Sequence, residues 1–150
     1  MTNSTGTNSQ DKQDVTALIE RWVAAARVSD LDTIMSLYTP DIVAFDAIAA
    51  LQFKGQDAYR KHWETCMSFM PDGEMIMEVH DLNVQVSGDL AFAHYLSVCG
   101  CKDDDGNDQT GWMRATVCCL KTASGWRISH EHYSAPFDPA TMKAMNDLTP

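Results

Sequence analysis

The sequence predicts an α+β fold, with helices packed on one face of a curled antiparallel sheet. Two observations carry that expectation. The first half of the chain holds three segments with apolar residues at helical spacing, one short strand lying between the second and third. From Met75 onward four long segments of strand character follow, separated by turn sequences, so the order is helix, helix, strand, helix, then a four-strand meander.

Val15, Leu18, Ile19, Trp22, Val23 and Ala26 recur at i, i+3, i+4 and i+7, which predicts an amphipathic helix over residues 13–27. Ser29 and Asp30 are suited to cap a second helix, whose apolar face is Leu31, Ile34, Leu37 and Tyr38 and which Thr39-Pro40-Asp41 ends. Residues 42–46 form a short strand, and an irregular alanine-rich stretch follows. Gly55 precedes a third helix over residues 56–69, with Tyr59, Trp63, Cys66, Met67 and Met70 on or near one stripe, and Pro71-Asp72-Gly73 marks a turn. The meander strands are residues 75–86, 90–102, 109–121 and 126–134. Ser87-Gly88-Asp89, the acidic tip 103–107 and Ala123-Ser124-Gly125 connect them. Residues 139–148 read as a short C-terminal helix covering an edge or reaching a partner subunit.

The 150 residues suit one domain, residues 13–150, preceded by a tail over 1–12 that is rich in Ser, Thr, Asn and Gln and is expected to be disordered. That tail lacks the apolar centre of a secretory signal, and no run of about 18 apolar residues occurs to span a membrane. Lys and Arg number 11 against 21 Asp and Glu, for a net charge of -10. Nucleic acid and anionic membrane surfaces both require a basic footprint, so the expected partners are a small organic molecule and other protein chains. Five cysteines, two of them adjacent at Cys118 and Cys119, fit reduced core thiols and a cytoplasmic location better than a disulfide framework. No metal or cofactor is expected. Cys99-Gly-Cys101 lacks a second cysteine pair for zinc, and a calcium loop centred on Gly106 would put Cys101 and Trp112 where carboxylates are required.

Strict alternation along the last strand puts Trp126, Ile128, His130, His132 and Ser134 on one face and Arg127, Ser129, Glu131 and Tyr133 on the other. The first face turns polar towards its end, as a strand running to the mouth of a cavity would. A three-residue loop Ala123-Ser124-Gly125 sets Cys118 opposite His130, Thr116 opposite His132 and Arg114 opposite Ser134. This register gathers Trp112, Arg114, Thr116, His130, His132 and Ser134 into one polar patch; a loop of two or four residues would instead bring Ala115 and Val117 beside the histidines. A two-residue Asp105-Gly106 turn adds Tyr95 and Ser97 to the pocket, paired with Thr116 and Arg114. It leaves Phe92, Leu96 and Val98, with His94, on an outer face too apolar for water, which a homodimer would cover.

Asp46 is an acid within an apolar strand: either a base in a dry cavity or a structural carboxylate paired with Arg114. His130 and His132 suit acid–base work or ligand contacts. A metal site joining them to Asp46 is opposed by Arg114, which would repel a cation. Tyr59 and Trp63 read as core or pocket wall.

Arg21-Trp22-Val23-Ala24-Ala25, Ser29-Asp30-Leu31-Asp32 and Asp41-Ile42-Val43-Ala44-Phe45-Asp46 resemble the opening of a bacterial ketosteroid isomerase. The ending from Gly125 to Pro136, with its H-x-H-x-S-x-P pattern, resembles a SnoaL-like bacterial subgroup. The chain therefore resembles the nuclear transport factor 2-like superfamily, which includes ketosteroid isomerases and polyketide cyclases. The resemblance implies a cone-shaped, cystatin-like α+β barrel in which the sheet wraps the N-terminal helices. It implies that Asp46 stands where the isomerases keep a general-base aspartate, and Trp22 where they keep an oxyanion-stabilising tyrosine; an indole N–H is the weaker donor.

The expected catalytic residues are thus Asp46, His132 and Arg114. Trp22, Tyr59, Trp63, Tyr95, Trp112, Thr116, His130 and Ser134 are the expected ligand contacts. The expected activity is isomerisation, cyclisation or dehydration without a cofactor, against the alternatives of a non-catalytic binding or sensing module and of an association domain. An Asp46 that is desolvated and not paired with Arg114 favours catalysis; a locked pair is what a binding module tolerates.

Overall fold

The computed structural model describes residues 4–70 and 74–150. The expected turn at Pro71-Asp72-Gly73 and the first three residues of the expected tail lie outside the described residues. The chain runs α1 (Ser4–Arg27), α2 (Leu31–Ser36), β1 (Tyr38–Phe45), β2 (Phe53–Lys54), α3 (Gln56–Met67), β3 (Ile76–Ser87), β4 (Leu90–Lys102), β5 (Asp108–Thr122) and β6 (Gly125–Ser134). The helices lie against a curved, unclosed sheet of order β2-β1-β6-β5-β4-β3. Neighbouring strands are antiparallel except β1 and β6, which pair in parallel, so the sheet is mixed where a wholly antiparallel one was expected.

The predicted stripe of α1 is buried, from Val15 to Ala26. The helix also continues back to Ser4, into the segment expected to be a tail. Asp11 explains the anchoring. Its Oδ1 accepts hydrogen bonds from Lys121 Nζ at 2.7 Å and Trp126 Nε1 at 3.1 Å, tying a polar segment to the far end of the sheet. The Lys121 hydrogen bond holds the Asp11 carboxyl below its usual range.

Asp30 caps α2 as predicted, accepting from Thr33 N at 3.0 Å. The helix stops at Ser36 and β1 begins at Tyr38, ahead of the expected strand start at residue 42. Pro40, read as a terminator, lies inside the strand. Proline cannot donate to a ladder, and it sits where the pairing of β1 with β6 shifts register, between Tyr38 and Val43. The short strand β2 emerges from the alanine-rich region read as irregular.

Two single-residue details decide which side chains face the helices. In the β5–β6 hairpin Thr122 pairs with Gly125, at φ 100°, leaving a two-residue loop of Ala123 and Ser124. Ile128 then faces Cys119, and His130 faces Cys118, so Ser129 is the extra residue of a bulge. The bulge restores the predicted pairing of Cys118 with His130 and Thr116 with His132, but it reverses the faces. Trp126 and Ile128 point inward, and beyond the bulge Glu131 and Tyr133 do, in place of His130 and His132. In the β4–β5 hairpin Lys102 pairs with Asp108, leaving a five-residue tip. Tyr95 and Ser97 face inward as predicted, but opposite Ala115 and Met113. Arg114 and Thr116 therefore project from the outer face.

The expected C-terminal helix is absent; residues 139–148 form turns. Asp138 Oδ1 accepts from Ala140 N at 2.8 Å, Met142 N donates to Asp138 O at 2.8 Å, and Phe137 bridges to Ala144. A side chain whose oxygen captures the backbone two residues on competes with helix formation. The resulting strap lays Asn146 against Gly111, where an added Cβ would come within 3.1 Å of it.

Candidate functional site

A cavity of about 880 Å³ opens between α3, the end of β1, the inner faces of β3–β5 and the C-terminal strap. Its walls are mostly apolar. Trp22, Tyr59, Trp63, Phe69 and Tyr133 supply rings, and Met70, Met75, Met77, Met113, Cys66, Cys99 and Cys101 supply sulfur. Thioethers and thiols are polarisable and suit a cavity that receives an apolar or aromatic molecule.

The polar centre of the cavity is Asp46, just past the end of β1. Its Oδ1 accepts from Ile48 N at 3.0 Å, closing a tight turn that fixes the carboxylate. Its Oδ2 lies 3.3 Å from the Tyr59 hydroxyl and 3.3 Å from His62 Nε2. Tyr59, His62, Trp63 and Cys66 stand at i, i+3, i+4 and i+7 on α3 and so share its inner face. His62 is buried, stacked on Phe53 with ring centroids 4.0 Å apart and on Tyr59 at 5.9 Å. Two rings and a carboxylate thus hold the imidazole.

Behind Tyr59 lies Glu131, a carboxyl with 1% exposure in the middle of the protein. Its Oε1 accepts from the Tyr59 hydroxyl at 2.5 Å and from the Tyr38 hydroxyl at 3.0 Å. Tyr38 in turn accepts from Trp22 Nε1 at 2.8 Å. Burial pushes the Glu131 carboxyl up to about 7, against the lowering effect of the two tyrosines. A neighbouring pair, the Tyr95 and Tyr133 hydroxyls 2.6 Å apart, satisfies itself in the same core.

Of the residues singled out from sequence, Asp46, Trp22, Tyr59, Trp63 and Ser134 line the cavity. Tyr95 is buried behind Tyr133. Arg114, Thr116, Trp112, His130 and His132 sit on the opposite face of the sheet, because of the one-residue hairpin shift and the bulge at Ser129. Trp112 packs on His80 at 4.8 Å, His130 Nδ1 lies 2.6 Å from Val43 O, and Phe45 lies edge-on to both His130 and His132. The Asp46–Arg114 pair therefore does not form, and Asp46 does not converge with His130 and His132 on a metal. Among the described residues no group of three or more His, Cys, Asp or Glu is arranged to hold one. Trp22 lines the cavity, but its N–H is spent on Tyr38, so it is not the free donor that its position implied.

Sequence reasoning missed His62, Glu131, Tyr133 and Tyr38. The stripe of α3 already contained the signal for His62, three residues after Tyr59. Glu131 and Tyr133 carried none, since alternation assigned both to the outer face.

Helices capping the concave side of a curved sheet, with a cavity between them lined by an acid and an imidazole, define the cone-shaped α+β class. The chain belongs to the SnoaL-like domain family, whose model matches residues 15–138, within the nuclear transport factor 2-like superfamily. It is 48% identical to an NTF2-like protein of unknown function from Pseudomonas putida, with 95% of this chain and 98% of that one covered and a TM-score of 0.87. A dehydratase candidate of the NTF2-like family from Streptomyces avermitilis is 19% identical over 85% of this chain and 97% of its own, with a TM-score of 0.74. The CaMKII hub of S. rosetta is 25% identical over 82% of this chain and 95% of its own, with a TM-score of 0.70. No protein of curated function matches this chain.

Proposed function

We propose that the protein binds a small, largely apolar organic molecule in this cavity and acts on it by acid–base chemistry, in the class of isomerases, cyclases and dehydratases. The observation that carries this reading is the carboxylate Oδ2 of Asp46, held 3.3 Å from His62 Nε2 at the cavity wall. In this pairing Asp46 takes a proton from a carbon next to a carbonyl, and the protonated imidazole of His62 gives one to a leaving hydroxyl or a developing enolate. For a dehydration the C–H and C–O bonds break, a C=C bond forms and water leaves. The proton on Asp46 then returns to His62, restoring both groups. Tyr59, bonded to Glu131 behind it, places its hydroxyl 3.3 Å from the Asp46 carboxylate. The likeness to a dehydratase candidate supports the reading at the level of class.

The test uses neutral cyclic ketones and β-hydroxyketones in D2O, with NMR following exchange of their α-protons. Exchange accelerated by the protein and lost in Asp46→Asn is the expected result. Binding without any acceleration would leave the non-catalytic sensing module as the correct reading.

The outer face of the sheet supports a second element of the proposal, a homodimer. Leu90 is 60% exposed and Phe92 46%, with Leu120 and His94 beside them and Phe45 farther across the same face, on β1. An apolar stretch of this kind marks an association surface, and the likeness to a hub is compatible with self-association. Light scattering is expected to give twice the 16.7 kDa chain mass, and Phe92→Glu to give a folded monomer. A monomeric parent, or a variant that still dimerises, would contradict this placement. No helix among the described residues is long and apolar enough to cross a membrane, and the five free thiols support a reducing, cytoplasmic setting.

A further inference from the structure

Glu131 is a buried acid that the proposed chemistry leaves without a task, and it shares a hydroxyl with the acid that has one. The Tyr59 oxygen lies 2.5 Å from Glu131 Oε1 and 3.3 Å from Asp46 Oδ2. A phenol has a single proton to donate, so at any moment it serves one of these carboxyls. Their positions are fixed around it. Asp46 Oδ1 is held by Ile48 N, and the Tyr59 ring is packed among Tyr38, Phe53 and Trp63, with centroids 5.5, 5.7 and 6.2 Å away. The other tyrosine on Glu131 has no such choice, because Tyr38 accepts from Trp22 Nε1 and donates to Glu131 Oε1.

The charge on Glu131 decides where the Tyr59 proton points. An ionised Glu131, the nearer of the two acceptors and the more deeply buried, draws it. Asp46 Oδ2 then faces a phenol lone pair and keeps His62 as its partner. A protonated Glu131 carries an O–H that needs an acceptor of its own in the core. The Tyr59 oxygen, which receives no other hydrogen bond among the described residues, is that acceptor, and its proton turns to Asp46. The remaining groups around Glu131 stay neutral. Burial raises the hydroxyls of Tyr38 on β1, Tyr59 on α3, Tyr95 on β4 and Tyr133 on β6, and likewise the Cys119 thiol on β5. Burial raises Glu131 too, and the like charge of Asp46 adds to the rise. No lysine or arginine is among the described residues lining the cavity, and His62 meets Asp46.

We propose that Glu131 is a positioning residue of this site: once ionised, it takes the Tyr59 hydroxyl proton away from Asp46 and leaves that carboxylate bare for the proton it removes from the ligand. The inference rests on the acid–base reading and adds which buried group governs it and through which side chain. A carboxylate relieved of a hydrogen bond is the stronger base, so proton removal speeds up as the pH rises through the ionisation of Glu131.

The first test needs no substitution at Glu131. Its carboxyl 13C signal, assigned by triple-resonance NMR, is followed against pH in the wild type and in Asp46→Asn. The midpoint is expected to fall by about half a pH unit in Asp46→Asn, because the like charge beyond Tyr59 is gone. An unmoved midpoint would show that the two carboxyls are not coupled. The second test measures α-proton exchange of one neutral ketone at a series of pH values on either side of that midpoint. The ratio of the wild-type rate to that of Glu131→Gln is expected to climb about threefold as the pH rises, while the ionisation of His62 affects both rates alike and cancels. With Tyr59→Phe added to both proteins, the ratio is expected to stay level. A level ratio with Tyr59 present overturns the proposal, and a ratio that climbs equally without it overturns the route through the hydroxyl. A wild-type protein that catalyses no exchange sinks the acid–base reading and this inference with it. Catalysed exchange with an unmoved midpoint or a level ratio sinks this inference alone.

Discussion

Glu131→Gln is expected to flatten the pH dependence of stability between about pH 4.5 and pH 7. In the folded protein burial raises this carboxyl to about 7, whereas in the unfolded chain it titrates near its ordinary value of 4.5. Between those values the folded state holds a proton that the unfolded state has lost, so raising the pH favours unfolding. The contribution is fully present below pH 4.5, declines as the pH rises, and is gone above about pH 7. The interval corresponds to roughly 3 kcal/mol. Glutamine keeps an acceptor oxygen for the hydroxyls of Tyr38 and Tyr59 while the titration disappears. Urea unfolding at a series of pH values measures the slope directly. An unchanged slope in the variant would show that Glu131 does not titrate in that range.

Asp46→Asn and His62→Gln are each expected to lower catalysed α-proton exchange by roughly 10²–10⁴-fold, the usual worth of a positioned acid or base. Asparagine retains an oxygen to accept from Ile48 N, so the turn after β1 keeps its shape and the loss reports on chemistry. In the proposed cycle one group passes its proton to the other across 3.3 Å, so the two are expected to act as a unit. The double variant is therefore expected to be no slower than the worse single variant, within error. Losses that multiply would mean independent roles and would contradict the pairing. The comparison uses one ketone at a fixed pH, with circular dichroism confirming that all three variants fold.

How much of this was legible in the sequence depends on how each feature is encoded. The strands of the meander and the buried stripe of α1 rest on repeated residues, so several positions vote for each. The family resemblance singled out Asp46 in the same way, through an ungapped run of flanking residues, and Asp46 lines the cavity. The faces of β5 and β6 depend instead on a single residue each: one step of register at the acidic tip, and the insertion of Ser129. A period of two carries no memory of a bulge, so alternation sent Glu131 and Tyr133 outward and His132 inward. His62 was legible and overlooked, since the stripe containing Tyr59, Trp63 and Cys66 includes it by spacing. The anchoring of α1 through Asp11 depends on partners more than a hundred residues away, Lys121 and Trp126, which local composition cannot reveal.

The proposed chemistry belongs to the concave face, with Asp46 and His62, and not to the histidines behind the sheet. The most direct measurement sets the exchange rate of one ketone in D2O for His62→Gln beside that for His132→Gln. A loss of roughly two orders of magnitude or more is expected for His62→Gln and a wild-type rate for His132→Gln. A wild-type rate for His62→Gln, or an equal loss in a folded His132→Gln, would contradict that placement.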